Sequence, residues 1–149
     1  MGNDNRVELR VKSIGENVSL VRMMASGFLY PYDVTFDVLD EIKIALSEAV
    51  SNCMIHGYDN AEDQEVVVTM EVQNRHLTIQ VQDTGVGIVD IARAMEPAFS
   101  TREEHMGLGF VFMQTFMDHI EVCSEPGKGT TVIMRKQLPA GEQQMSDAG

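Results

Sequence analysis

Basic residues are scarce in this chain: 11 Lys and Arg stand against 23 Asp and Glu in 149 residues, a formal net charge of −12. A protein that coats nucleic acid or an anionic membrane needs a basic surface, so both are set aside as direct partners. No apolar run approaches the ~20 residues of a membrane span. The stretch from Met1 to Arg6 is too polar for a signal peptide, and Arg6 stands where a myristoylation signal has Ser or Thr. Cysteine is nearly missing too. Cys53 and Cys123 form no CxxC pair, and both lie in apolar stretches, the pattern of buried, reduced thiols in a cytoplasmic protein. The chain also lacks a Walker A loop. A Rossmann fingerprint is missing as well, because Asp90 stands where its third glycine belongs. Both common nucleotide folds are thereby disfavoured.

What is present is an ordinary globular balance, 44% hydrophobic and 23% charged. At this length a chain buries roughly two-thirds of its unfolded surface, enough for a core without staples. One domain over residues 1–138 is expected, followed by a polar, disordered tail over 139–149. Val7, Leu9 and Val11 alternate in a first strand over Arg6 to Lys12. A helix follows from Asn17 to Tyr30, capped by Asn17 or Ser19 and broken by Pro31. Thr35 caps a longer helix reaching about Met54, with Leu39, Ile42, Leu46, Ala49 and Cys53 as its apolar stripe. Glu65 to Val72 and His76 to Val81 form a hairpin across Asn74-Arg75. A short helix is expected within Ile88 to Met95, a mobile loop over Ala98 to His105, and a helix from Gly107 to Met117. Two last strands, Ile120 to Cys123 and Thr130 to Lys136, pair across Glu125-Pro126-Gly127-Lys128-Gly129. This order predicts an α/β two-layer sandwich: one mixed sheet with helices on one face. Met113 and Met117 fall at core spacing, whereas Met23 and Met24 suit an adaptable interaction surface.

Four places carry chemistry. Glu48 and Asn52 are four residues apart and share a helix face, away from the apolar stripe. Taken alone that is a solvated face, but Ile44 and Ile55 flank it and Ala45 leaves space beside Glu48, as a ligand pocket needs. Asp83-Thr84-Gly85-Val86-Gly87 follows a strand directly. It reads as a tight turn, or as a carboxylate placed to accept from an exocyclic amine with glycines allowing close backbone approach. Gly107-Leu108-Gly109 opens a helix, and a helix start attracts anions. Gly127-Lys128-Gly129-Thr130-Thr131 is a hairpin connection in which Thr130 can also offer a hydroxyl to a ligand.

In this order and spacing, Glu-x-x-x-Asn, Asp-x-Gly-x-Gly, Gly-x-Gly and Gly-Thr resemble the GHKL ATP-binding superfamily. That group includes DNA gyrase, a heat-shock chaperone, histidine kinases and mismatch-repair ATPases. Glu48-Ala49-Val50-Ser51-Asn52-Cys53-Met54-Ile55-His56-Gly57-Tyr58 looks like its anti-sigma serine kinases, and the likeness runs from about Val7 to Lys136. The resemblance implies a Bergerat-type ATP-binding fold with ATP and Mg²⁺ as cofactors. It implies Glu48 as general base, Asn52 as metal ligand, and Asp83 as reader of the adenine amine beside Thr130. Gly85 and Gly87 would pass close to the nucleotide. Gly107 and Gly109 would wrap the phosphates beneath a lid over Ala98 to Met106 that carries Thr101 and Arg102, with Arg102 a candidate phosphate contact. The lid is shorter than in the family members, and His105 takes the place of their basic residue. The implied partners are a sigma factor, an anti-anti-sigma protein as serine substrate, and a second copy of the chain. Two other readings fit the same motifs: an ATP-gated binding module without phosphotransfer, and a detached histidine-kinase ATP domain.

Overall fold

The computed structural model describes residues 4–95 and 102–139, with the side chains of 102–107 excepted. Strand β1 (Asn5–Lys12) leads into helix α1 (Glu16–Leu29), a single 3₁₀ turn at Tyr30–Tyr32, and helix α2 (Phe36–Asn52). A π-helical turn, Cys53–Gly57, extends α2. Strands β2 (Glu65–Gln73) and β3 (His76–Asp83) follow, then the short helix α3 (Ile91–Ala94), helix α4 (Arg102–Phe116) and strands β4 (His119–Glu125) and β5 (Gly129–Gln137).

The five strands run in the order β1-β2-β3-β5-β4. Every neighbouring pair is antiparallel, so the expected mixed sheet is corrected to a wholly antiparallel one. The reason is topological. The β4–β5 hairpin docks β5 against β3 in the opposite sense, and no strand returns through a parallel crossover. Alternation along each strand sends Val66, Val68, Met70, Leu77, Ile79, Val81, Val132 and Met134 to the helix side, all buried. The outer face carries polar residues in register, such as Glu8 opposite Thr69 and Thr69 opposite Gln80. Cys123 lies on that outer face opposite Thr131 and is exposed, so only Cys53 fits the expectation of a buried thiol.

Thr35 caps α2 as expected, its hydroxyl accepting from Val38 N at 3.3 Å. The stripe of α2 is buried through Ile42, Leu46, Ala49 and Cys53. Truncating a side chain such as Leu46 to Ala costs about 2–5 kcal/mol. Helix α1 begins one residue before Asn17 with no side-chain cap, and Asn17 instead donates through Nδ2 to Lys12 O. The Asn74-Arg75 join has φ of 51° and 61°, the two positive values a type I′ hairpin turn needs.

The largest difference from expectation concerns α4. It starts at Arg102, so Gly107 and Gly109 lie inside the helix rather than at its opening. Arg102-Glu103-Glu104 are good helix formers, and their summed propensity carries the helix back past the glycines. The N-terminal part of the lid, with Thr101, lies outside the described residues, as does the tail from residue 140. Among the described residues no helix is long and apolar enough to cross a membrane. Met113 and Met117 are core residues, whereas Met23 is 72% exposed on α1.

Candidate functional site

The site forms where the end of α2, the turn after β3, the start of β5 and the middle of α4 converge. Glu48 and Asn52 project from successive turns of α2 toward α4. A methyl group built on Gly109 would lie 3.0 Å from Glu48 Oε2 and 3.3 Å from Asn52 Nδ2. The acid and the amide therefore point into the helix–helix seam. Ala45, one turn before Glu48, is fully buried, so it does not provide the open space expected there. Asn52 Nδ2 is buried and has no hydrogen-bond partner among the described residues. A buried donor in that state costs about 1–3 kcal/mol, which marks it as held for something else.

Asp83 ends β3 opposite Thr130 of β5. It is only 4% exposed, and burial pushes its carboxyl above the usual range, offset in part by the Gly85 N–H, the Cys53 thiol and the Thr130 backbone. The Gly85 N–H donates to Oδ1 at 2.9 Å. The glycines after Asp83 have steric causes. A methyl on Gly85 would fall 2.0 Å from Gly57 O, and Val86 N donates to that same carbonyl at 2.9 Å. Gly87 has φ +76° and packs its Cα against Glu125 O. The turn is thus clamped between the π-helical turn and the β4–β5 connection.

Asn52, Cys53, Asp83, Gly87, Phe110 and Thr130 border one cavity of about 20 Å³. Ligand pockets for small molecules run to about 300 Å³ or more. Gly109 of α4 lies against Glu48 and Asn52, and the cavity beside them is smaller than a nucleotide. The residues suit such a guest: a buried carboxylate at the floor, a donor amide without a partner, and backbone kept close by glycine. Asn52 also carries a hard oxygen donor for a divalent cation. Among the described residues no group of three or more His, Cys, Asp or Glu is placed to hold a metal ion.

Of the residues singled out from sequence, Asn52, Asp83, Gly87 and Thr130 meet at this cavity, with Glu48 and Gly109 at its edge and Gly85 bracing the turn. Arg102 and Gly107 belong to the backbone of α4, and their side chains lie outside the described set. Two residues were missed. Ser124 Oγ accepts from Ile88 N at 2.7 Å and lies 2.8 Å from Thr130 Oγ1, tying the glycine turn to β5. Tyr58 Oη donates to Glu65 O and accepts from Thr84 N at 2.9 Å, fixing the other side of that turn. The only signal for Ser124 was its pairing register with Thr130, which needs the sheet.

The model of the histidine kinase-like ATPase domain matches residues 12–136. An anti-sigma F factor of Clostridium acetobutylicum is 43% identical over 137 residues, 91% of this chain and 95% of that protein. The chain belongs to the anti-sigma F factor family, within the histidine kinase-like ATPase domains. A second anti-sigma F factor, from Thermoanaerobacter pseudethanolicus, is 45% identical over 136 residues, 90% of this chain and 94% of that one. Among solved structures, the RsbU and RsbW domains of a Mycobacterium tuberculosis protein superpose with a TM-score of 0.66 at 18% identity. That match covers 92% of this chain and 33% of the other, and at such identity it bears on the fold alone. A histidine kinase domain from Erythrobacter litoralis superposes with a TM-score of 0.54 at 16% identity, covering 86% and 62% of the two chains. The anti-sigma F family therefore accounts for the Bergerat-type arrangement of an antiparallel sheet under one layer of helices.

Proposed function

We propose that this protein is a single-domain, cytoplasmic anti-sigma factor that holds a sporulation-type sigma factor and, with Mg·ATP, phosphorylates a serine of an anti-anti-sigma protein. The observation that carries the proposal is the common orientation of Glu48 and Asn52 toward Gly109, next to a cavity floored by Asp83 and Thr130. Phosphoryl transfer asks a protein mainly for positioning and charge neutralisation. Bound Mg²⁺ supplies charge neutralisation at the phosphates, and Asn52 would hold it through its side-chain oxygen. Asp83 accepts from the adenine amine, which selects a base with an amine over one with a carbonyl. Thr130 lies beside it, its hydroxyl already shared with Ser124. Gly85 and Gly87 keep the chain close to the nucleotide. Gly107 and Gly109 wrap the phosphates beneath a lid that carries Thr101 and Arg102. Glu48 takes the proton from the incoming serine hydroxyl as its oxygen bonds to the terminal phosphorus and ADP departs, a contribution of ~10²–10⁴-fold.

A homodimer is part of this reading. Strand β1 is a free sheet edge, and α1 beside it exposes Leu20 and Met23, which together offer a surface for a second copy.

The test incubates the protein with γ-labelled ATP, Mg²⁺ and an anti-anti-sigma protein from a sporulating bacterium. Label on a serine of that protein supports the proposal. Label on a histidine of this chain, or tight nucleotide binding with no transfer, contradicts it and selects the histidine-kinase or the ATP-gated reading.

A further inference from the structure

The three backbone N–H groups that follow Asp83 in the glycine turn each have a partner. Gly85 N donates to the Asp83 carboxylate at 2.9 Å. The two that flank it reach across to one place: Thr84 N donates to Tyr58 Oη and Val86 N to Gly57 O, both at 2.9 Å. Consecutive residues at the end of the π-helical turn therefore grip the glycine turn on either side of Gly85. Tyr58 is buried, and its own N–H closes the wide turn by donating to Cys53 O at 2.9 Å. Turns of that kind recur at functional sites. The hydroxyl proton of Tyr58 is committed to Glu65 O at 2.6 Å, which leaves the oxygen to accept from Thr84.

This arrangement sets a length. Asn52 ends α2, the turn Cys53–Gly57 continues from it, and Tyr58 then bonds the residue next to Asp83. The end proposed to hold the metal and the end proposed to read the base are joined through that turn and one hydroxyl. Gly57 adds a steric limit, since a methyl there would lie 2.9 Å from Asp83 Cγ and Oδ2. The carboxyl group is thus seated directly on the turn. Resting on the adenine-reading role proposed for Asp83, we infer that Tyr58 is a positioning residue for base recognition: its hydroxyl, by holding the Thr84 amide, keeps the Asp83 carboxylate at a fixed place relative to Asn52. An acceptor already in place binds an amine without the cost of ordering a loop. Tyr58 acts through Thr84 and Asp83 and touches no reacting atom.

The experiment compares equilibrium binding of Mg·ATP and of purine riboside triphosphate, which lacks the exocyclic amine, to the full chain. Wild type, Tyr58→Phe and Ser13→Ala are measured, with thermal unfolding to establish that each is folded. Ser13 is the control: it is buried and its hydroxyl bonds Ala61 O and Gln64 N in the segment after Tyr58, away from the glycine turn. Wild type should prefer ATP. Tyr58→Phe should bind ATP about fivefold to tenfold more weakly and lose most of that preference, with little change for the purine analogue. Ser13→Ala should unfold at a lower temperature yet keep the wild-type ratio. If Tyr58→Phe retains that ratio, or if both variants lose it alike, the hydroxyl serves stability only and the inference is overturned. If Tyr58→Phe does not fold, amide hydrogen exchange of the wild-type chain decides. ATP should slow exchange at Thr84 more than the purine analogue does, and equal protection overturns the inference. Should wild type itself bind both nucleotides equally, the adenine-reading role of Asp83 fails first and takes the inference with it.

Discussion

Ser124 and Thr130 face each other across the β4–β5 ladder with their hydroxyl oxygens 2.8 Å apart, and Ser124 also accepts from Ile88 N at 2.7 Å. One small side chain thereby joins the glycine turn, the β4–β5 connection and the residue beside Asp83. Ser124→Ala leaves a part-buried amide and hydroxyl short of partners. It should lower the unfolding free energy by about 1–3 kcal/mol and weaken ATP binding through Thr130. Urea denaturation and titration calorimetry measure the two effects, and unchanged values in both would remove Ser124 from the site.

Glu48 and Asn52 share a helix face, and different tasks are proposed for them. Glu48→Gln keeps size and hydrogen-bonding capacity while removing the base, so ATP affinity should persist and serine transfer should fall by ~10²–10⁴-fold. Rates of label transfer at saturating ATP test this. A variant that phosphorylates its partner at the normal rate would end the general-base role.

Asn52→Ala should act earlier, on binding. The loss is expected in the presence of Mg²⁺ and should largely vanish in a chelator, because the role proposed for the side-chain oxygen is to hold the metal. Affinities measured with Mg²⁺ and with EDTA separate the two. Equal loss under both conditions would reassign Asn52 to a direct nucleotide contact.

Asp83 sets function against stability. Burial raises its folded pKa above the ordinary 3.8, so the native state holds the proton more tightly than the unfolded chain. Stability then falls as pH rises past the unfolded value and through the raised native one. Asp83→Asn cannot ionise and escapes that loss. Its thermal midpoint relative to wild type should climb from about pH 4 toward neutrality, even as adenine recognition is lost. A midpoint difference constant with pH would show that the carboxylate carries no burial cost.

How much of this was legible in the sequence depends on whether a feature is local. Thr35 announces α2, the spacing of Ile42, Leu46 and Ala49 gives its buried stripe, and Asn74-Arg75 marks a hairpin, because each signal lies within a few residues. Features set by partners in space were misread or missed. Cys123 sits among apolar neighbours, yet strand alternation turns it outward. Ala45 suggested room for a ligand, but it is fully buried. The Gly107-Leu108-Gly109 segment suggested a helix start, whereas the preceding Arg and Glu residues carry α4 back to Arg102. Glu48, Asn52, Asp83 and Thr130 were singled out because their spacing matches a family pattern, and no single one of them would have been persuasive. Ser124 and Tyr58 gain their parts only through register and packing.

The central claim is that the acid and amide of α2 look toward nucleotide phosphates while Asp83 meets the base. A crystal structure with ATP and Mg²⁺ tests it most directly. The account predicts the adenine amine on the Asp83 carboxylate, the metal on Asn52 Oδ1, Glu48 facing the terminal phosphate, and Gly109 drawn away from Glu48. A nucleotide bound elsewhere, with Gly109 still seated against Glu48 and Asn52, would contradict it.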